Sequence, residues 1–252
     1  MNKSQLNRYS RQIQLTDVGL KGQHNLLSSK VLIIGMGGLG SPVATYLAAA
    51  GIGQLTLVDF DVVDLSNLQR QILHGTDDID KPKVESAAES LRSINPEIKL
   101  ERVNYALDGQ PLIEAVTKAD AVVDCCDNFA TRFELNEACV KTKTPLISGG
   151  VIQFEGQVSV FDARQADSPC YQCLYKPVQE GEGETCSQTG VLASAPGIIG
   201  SIQATETLKL LLGLPTLTGR LLLMDAKSME WRVIQLPKDP NCPICGDRPT
   251  NK

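Results

Sequence analysis

The sequence predicts an α/β protein, a mostly parallel sheet continued by antiparallel strands. Three observations carry this prediction. Through residue 150, short continuous apolar runs alternate with helical stretches, the pattern of parallel strands covered on both faces. A glycine-rich turn joins the first of those strands directly to a helix. After Gly150 the apolar runs give way to polar–apolar alternation, the mark of antiparallel strands.

Taken in order, residues 4–15 read as one helix with Leu6, Tyr9 and Ile13 on a single face. Residues 31–34 are the first strand, and a helix follows the glycine turn to Ala50. Residues 55–58 form the second strand, ending at Asp59. Residues 82–93 are helical, with Asp80 as N-cap and a proline near the first turn. Residues 98–103 read as strand, 112–117 as a short helix, 121–123 as a buried strand ending at Asp124, and 129–141 as a helix. Residues 145–148 close the alternation. Residues 157–161 then alternate as a half-exposed antiparallel strand would. A long polar connection, 162–190, leads to an apolar helix over 195–212 and two final strands, 221–224 and 231–234. There is no internal repeat.

Composition narrows the function classes. The chain has 252 residues, 42% hydrophobic and 21% charged, an ordinary globular balance. That length buries a sizeable core without disulfide staples. The net charge of −5 argues against general nucleic-acid binding. No apolar run approaches the length of a membrane span. The first residues lack the apolar core of a secretory leader, so a cytoplasmic protein is expected. The segment 1–30 is basic, with Lys3, Arg8, Arg11, Lys21 and Lys30 against Asp17 alone. Such a segment can reach a phosphate or simply form a solvated face.

Gly35, Gly37 and Gly40 form a Gly-x-Gly-x-x-Gly turn between strand and helix. Glycine lets the backbone approach a phosphate, and the helix start offers unpaired N–H groups and positive potential. Asp59, at the end of the next strand, stands where a carboxylate binds ribose hydroxyls. This points to an adenine nucleotide without saying which one. Arg70 and Lys83 carry donors that match polyphosphate oxygens. Asp127 follows a parallel strand at the sheet edge where ligands bind, and its carboxylate suits Mg²⁺. His24 and His74 read as surface or packing residues.

Eight cysteines fall into groups. Cys125, Cys126 and Cys139 lie in apolar surroundings and read as small buried residues. Cys170-Tyr171-Gln172-Cys173 and Cys242-Pro243-Ile244-Cys245 are two Cys-x-x-Cys pairs, which read as metal ligands sooner than as disulfides. Zn²⁺ favours four thiolates, and each pair supplies two from one turn. A thioredoxin-like redox pair is the competing reading, but it leaves the second pair unexplained. Cys186 stands alone in a Gly/Glu-rich stretch.

The segments Arg8-Tyr9-Ser10-Arg11-Gln12, Gly35 to Gly40, Asp59-Phe60-Asp61, Leu65-Ser66-Asn67-Leu68-Gln69-Arg70-Gln71, Lys81-Pro82-Lys83 and Asp127-Asn128, with both cysteine pairs, resemble the ThiF/MoeB/HesA family. These are bacterial relatives of ubiquitin-activating E1 enzymes. The match runs over nearly the whole chain in the family order. It implies a Rossmann-like single adenylation domain over 1–252. Residues 1–30 would be an N-terminal helical arm, 31–150 the nucleotide-binding part, and 151–252 the carrier-binding and zinc part. It also implies ATP- and Mg²⁺-dependent adenylation of the C-terminal Gly-Gly carboxylate of a ubiquitin-like sulfur carrier protein.

By the same resemblance, Gly38 lies against the nucleotide and Asp59 holds the ribose. Ser66, Asn67, Arg70, Lys83 and Asn128 contact the nucleotide, and Asp127 positions Mg²⁺. Arg11 reaches across a homodimer into the neighbouring site. Cys170, Cys173, Cys242 and Cys245 hold a structural Zn²⁺. Cys186 matches a cysteine linked to covalent handling of the activated carrier, although three nearby glutamates disfavour its thiolate. A separate protein is expected to donate sulfur.

The details sit nearer the thiamine-thiazole branch of the family than the molybdopterin branch, which is the alternative. Two other readings compete. An NAD-dependent oxidoreductase would use the same glycine turn but leaves Arg70, Lys83 and the cysteine pairs idle. A non-catalytic scaffold would require lost phosphate contacts, and Arg11, Arg70, Lys83 and Asp127 are all present.

Overall fold

The computed structural model describes residues 1–176 and 189–246. Five strands run parallel: β1 (Lys30–Ile34), β2 (Gln54–Val58), β3 (Lys99–Val103), β4 (Ala121–Asp124) and β5 (Leu146–Ile152). Three more continue the sheet antiparallel: β6 (Glu155–Phe161), β7 (Arg220–Asp225) and β8 (Glu230–Gln235). The order is β3-β2-β1-β4-β5-β6-β7-β8. The chain therefore builds outward from β1 in one direction, then returns to place β4 on its other side. That reversal opens a crevice at the C-terminal ends of β1 and β4, the usual ligand position in such sheets.

Helices cover both faces. On one side pack α4 (Gly40–Ala50), α5 (Lys83–Ile94) and α9 (Ser194–Leu211), while α3 (Gly19–Ser28) precedes β1 and the short α8 (Tyr171–Leu174) follows β6. Their Val43, Leu47, Leu91 and Ile199 join Val31, Ile33, Leu55, Leu57 and Val123 in one cluster. On the other side lie α6 (Gly109–Thr117) and α7 (Phe129–Thr142). Their Val116, Leu135 and Cys139 meet Leu32, Ile34, Val122 and Leu146. The alternation along β1 sends Val31 and Ile33 to one layer and Leu32 and Ile34 to the other, so all four are buried.

Three expectations need correction. Residues 4–15 form two short helices, α1 (Lys3–Arg8) and α2 (Ser10–Ile13), broken at Tyr9. Tyr9 turns inward: it is 3% exposed and its hydroxyl accepts a hydrogen bond from Asn95 Nδ2 at 2.9 Å. Asp80 does not cap α5. It sits at φ 69°, and Pro82 occupies the cap position without a side-chain bond. Strand β6 is almost entirely buried rather than half-exposed. Ile199 of α9 covers Val158 and Val160 on one face, and Tyr171 covers Phe161 on the other. Among the described residues, no helix is long and apolar enough to cross a membrane.

Candidate active site

The glycine turn is built by two constraints. Gly35 sits at φ +96°, a conformation L side chains avoid, with the Cys125 carbonyl packed against it. A Cβ on Gly40 would lie 2.0 Å from the Gly35 carbonyl oxygen, so only glycine lets α4 start there. Asp59, at the end of β2, holds the turn from the side. Its Oδ2 accepts from Met36 N at 2.7 Å and its Oδ1 from Asp61 N at 2.9 Å. Burial pushes the Asp59 carboxyl above its usual range, while nearby Lys83 pulls it back.

A cavity of about 680 Å³ opens at this point. Gly37, Gly38, Asp59, Arg70, Lys83, Asp127 and Asn128 all line it, so the structure gathers residues from Gly37 to Asn128 in the sequence. Lys83, at the start of α5, is 7% exposed and pairs with Asp61 Oδ2 at 2.8 Å. Asp127 is exposed just beyond β4. Asn128 caps α7, accepting from Thr131 N at 2.9 Å. The cavity continues over the antiparallel strands past Gln157, Leu223 and Asp225 to Glu230 and Arg232.

Other expected residues lie elsewhere. Ser66 and Asn67 do not line the cavity among the described residues. Ser66 Oγ and N both donate to Asp64 Oδ1, and Asn67 Oδ1 accepts from Asp64 N. Arg11 is exposed on α2, away from the cavity of its own chain. Cys186 lies outside the described residues.

The structure also adds residues. Arg132, on the buried face of α7, lines the cavity and is 8% exposed. Its Nη2 donates to the Cys126 and Gly149 carbonyls, and its Nε lies 3.7 Å from Asp124 Oδ2. Asp124 is held in turn by Ser148 Oγ at 2.6 Å. A signal for Arg132 was available in the sequence: it shares the i, i+3, i+7 stripe of α7 with Leu135 and Cys139, an interior position for a charge. Gln71 also lines the cavity, 4% exposed, with its Oε1 unpartnered.

The four paired cysteines meet at one point, their sulfurs all within 4.8 Å of one another. Cys170 Sγ lies 3.6 Å from Cys242 Sγ, and Cys173 Sγ 3.3 Å from Cys245 Sγ. Sulfurs around tetrahedral Zn²⁺ stand about 3.8 Å apart, whereas disulfide sulfurs stand about 2.05 Å apart. The cluster therefore fits zinc. Asp239 N and Asn136 Nδ2 point N–H groups at Cys173 and Cys170 sulfurs, which favours thiolates. Four protein ligands leave no open position, as in structural sites. Cys125, Cys126 and Cys139 are buried, and desolvation pushes their thiols up, so they are inert packing residues.

Fold and site together define a Rossmann-like α/β protein whose tail is brought back by a four-cysteine cluster that fits zinc. The ThiF family model matches residues 9–244, and the chain belongs to that family. It is 48% identical to the sulfur carrier protein ThiS adenylyltransferase of Escherichia coli strain K12, over 98% of this chain and 97% of that protein. It is 46% identical to the SAMP-activating enzyme E1 of Haloferax volcanii, covering 98% and 91%. Against the molybdopterin-synthase adenylyltransferase of E. coli strain K12 the identity is 44%, covering 98% of each. The crystal structure of E. coli MccB with MccA-N7isoASN matches in fold, at TM-score 0.83 and 24% identity, over 98% of this chain and 76% of that one.

Proposed function

We propose that the protein adenylates the C-terminal Gly-Gly carboxylate of a ubiquitin-like sulfur carrier, releasing pyrophosphate. The observation that carries this is the continuity of one cavity. It runs from the glycine turn, Arg70 and Lys83 across the antiparallel strands to Arg232. In this reading the glycine-turn end takes ATP, and the end lined by Gln157, Leu223 and Arg232 takes an extended carrier tail.

The reaction joins a carboxylate oxygen to the α-phosphorus of ATP and breaks the bond to the β-phosphate oxygen. The nucleophile is already ionised near neutral pH, so no general base is required. What the step needs is alignment and stabilisation of phosphate charge. In this reading Asp59 binds the ribose, Gly38 lies against the nucleotide, and Arg70 and Lys83 neutralise the leaving pyrophosphate. Asn128, which lines the same cavity, adds a nucleotide contact, whereas Ser66 and Asn67 lie off it. Asp127 would hold Mg²⁺, which supplies further charge neutralisation when bound. Arg11, exposed and off its own cavity, serves the partner's site in a homodimer. The single adenylation domain divides into an arm (1–30), a nucleotide part (31–150) and a carrier and zinc part (151–252).

The carrier is assigned to the ThiS type of thiamine-thiazole synthesis, with the molybdopterin-synthase carrier as the alternative. The relative named for ThiS stands at 48% identity and the one named for molybdopterin synthase at 44%. Mg²⁺-dependent ATP–pyrophosphate exchange with both carriers in parallel tests this. Exchange with the thiamine-type carrier alone is expected. Exchange with the other alone keeps the chemistry and reverses the carrier. Exchange with neither, in folded and zinc-loaded protein, overturns the proposal.

A further inference from the structure

We infer that His74 is a positioning residue that sets the orientation of the glycine turn for phosphate binding. The inference rests on the nucleotide reading above for its kinetic consequence, and on geometry alone for its structural one.

His74 is 7% exposed and is not among the residues that line the cavity. Its Nε2 is 2.9 Å from the Met36 carbonyl oxygen, and its Nδ1 is 2.8 Å from Ser86 Oγ. A carbonyl oxygen only accepts, so Nε2 carries a proton whether the ring is neutral or charged. Nδ1 then takes part in a chain through Ser86 Oγ to Asp78 Oδ2, 2.8 Å further on. Asp78 is itself anchored by Gly75 N at 2.9 Å and by Lys81 Nζ at 2.8 Å. The ring is thus tied at both nitrogens, one to the turn and one to α5 and the loop before it.

The consequence follows from peptide planarity. The Met36–Gly37 peptide is trans, so its carbonyl and the Gly37 N–H point in opposite directions. With the carbonyl held on His74, which does not line the cavity, the Gly37 N–H faces away from His74, and Gly37 itself lines the cavity. The preceding peptide is pinned separately, by Met36 N donating to Asp59 Oδ2 at 2.7 Å. Two side chains from different parts of the chain therefore fix two successive peptide planes. Glycine at 37 would otherwise let its peptide rotate at little cost.

Two variants separate this role from packing. His74→Gln keeps an N–H donor near the Nε2 position. His74→Phe keeps the ring volume and removes the donor, leaving the Met36 carbonyl without its partner. In ATP–pyrophosphate exchange, His74→Gln should retain the wild-type KM for ATP. His74→Phe should raise it about tenfold, the scale of one neutral hydrogen bond, with kcat little changed. Ser86→Ala, which loosens the ring without removing it, should give a smaller rise in the same direction. A crystal structure of nucleotide-free His74→Phe should show the Met36–Gly37 peptide rotated. Equal KM values for the Phe and Gln variants, with the peptide unmoved, overturn the inference. If the wild-type protein shows no exchange, the adenylation reading fails, and the peptide orientation alone then decides the role of His74.

Discussion

Lys83 Nζ lies 2.8 Å from Asp61 Oδ2, yet the lysine side chain is 7% exposed and the aspartate 52%. The pair is lopsided: the cation is held inside the cavity wall and its anion sits at the mouth. A phosphate entering the cavity would replace Asp61 as the partner of a charge already in place. Lys83→Ala is therefore expected to reduce ATP–pyrophosphate exchange by at least about a hundredfold, the scale of losing one preorganised donor. Asp61→Asn should instead leave exchange measurable. Equal losses in the two variants would refute this division of roles.

Arg132 and Asp124 form a buried pair, and Arg132 Nη2 donates to two backbone carbonyls. Removing one partner leaves an uncompensated charge in a low-dielectric interior. Arg132→Met should destabilise the fold by about 3–5 kcal/mol in denaturant titration. A change under 1 kcal/mol, about the worth of a surface pair, would show that the pair is effectively solvated.

Asp78 is held at about 2 by hydrogen bonds from Lys81 and Gly75 N, with Ser86 adding to them. Its folded value lies below the ordinary aspartate value of 3.8, so its ionised form favours the folded state. That contribution is present above pH 4 and is lost as pH falls towards 2. Asp78→Asn should flatten the acid limb of the stability–pH curve in that window and leave its alkaline side unchanged. A variant with the wild-type acid slope would assign the acid limb to other carboxylates.

Metal analysis should find one zinc per chain, lost in Cys170→Ser and in Cys242→Ser alike. Because residues 242 and 245 meet 170 and 173 across the fold, zinc removal should lower the Tm and loosen the C-terminal segment. ATP binding at the glycine turn should persist. Zinc retained by both serine variants would exclude this cluster as the site.

Cys186→Ala is expected to leave adenylation intact and to impair thiocarboxylate formation on the carrier. The two readouts are exchange and mass spectrometry of the carrier in a reconstituted sulfur-transfer system. An unchanged thiocarboxylate yield removes Cys186 from the covalent chemistry.

Local sequence was enough for the glycine turn, for Asp59 at the end of β2, and for the switch from parallel to antiparallel strands after Gly150, a switch that falls at the β5–β6 turn. Each depends on spacing within a few residues: a backbone that must turn, a strand that must end, a side-chain period. The break at Tyr9 was not legible, because its cause is Asn95, distant in sequence, and a ring that must be buried. Nor was the burial of β6, which depends on α9 lying across it.

The same divide runs through the site. The residue types for nucleotide and zinc chemistry are written in short motifs, since glycine conformations, thiolate pairs and cationic donors are properties of the residues themselves. Their convergence is not, because distances between remote segments follow from packing of the whole chain. The sheet reversal at β1 and β4 brings Asp127 opposite the glycine turn. The packing of α5 places Lys83 beside Asp61 and Ser86 beside His74. The return of the tail closes four sulfurs to within 4.8 Å. Buried polar partners such as Arg132 with Asp124 belong to this second kind, because a charge can enter the interior only where the tertiary fold supplies its counter-charge and carbonyls.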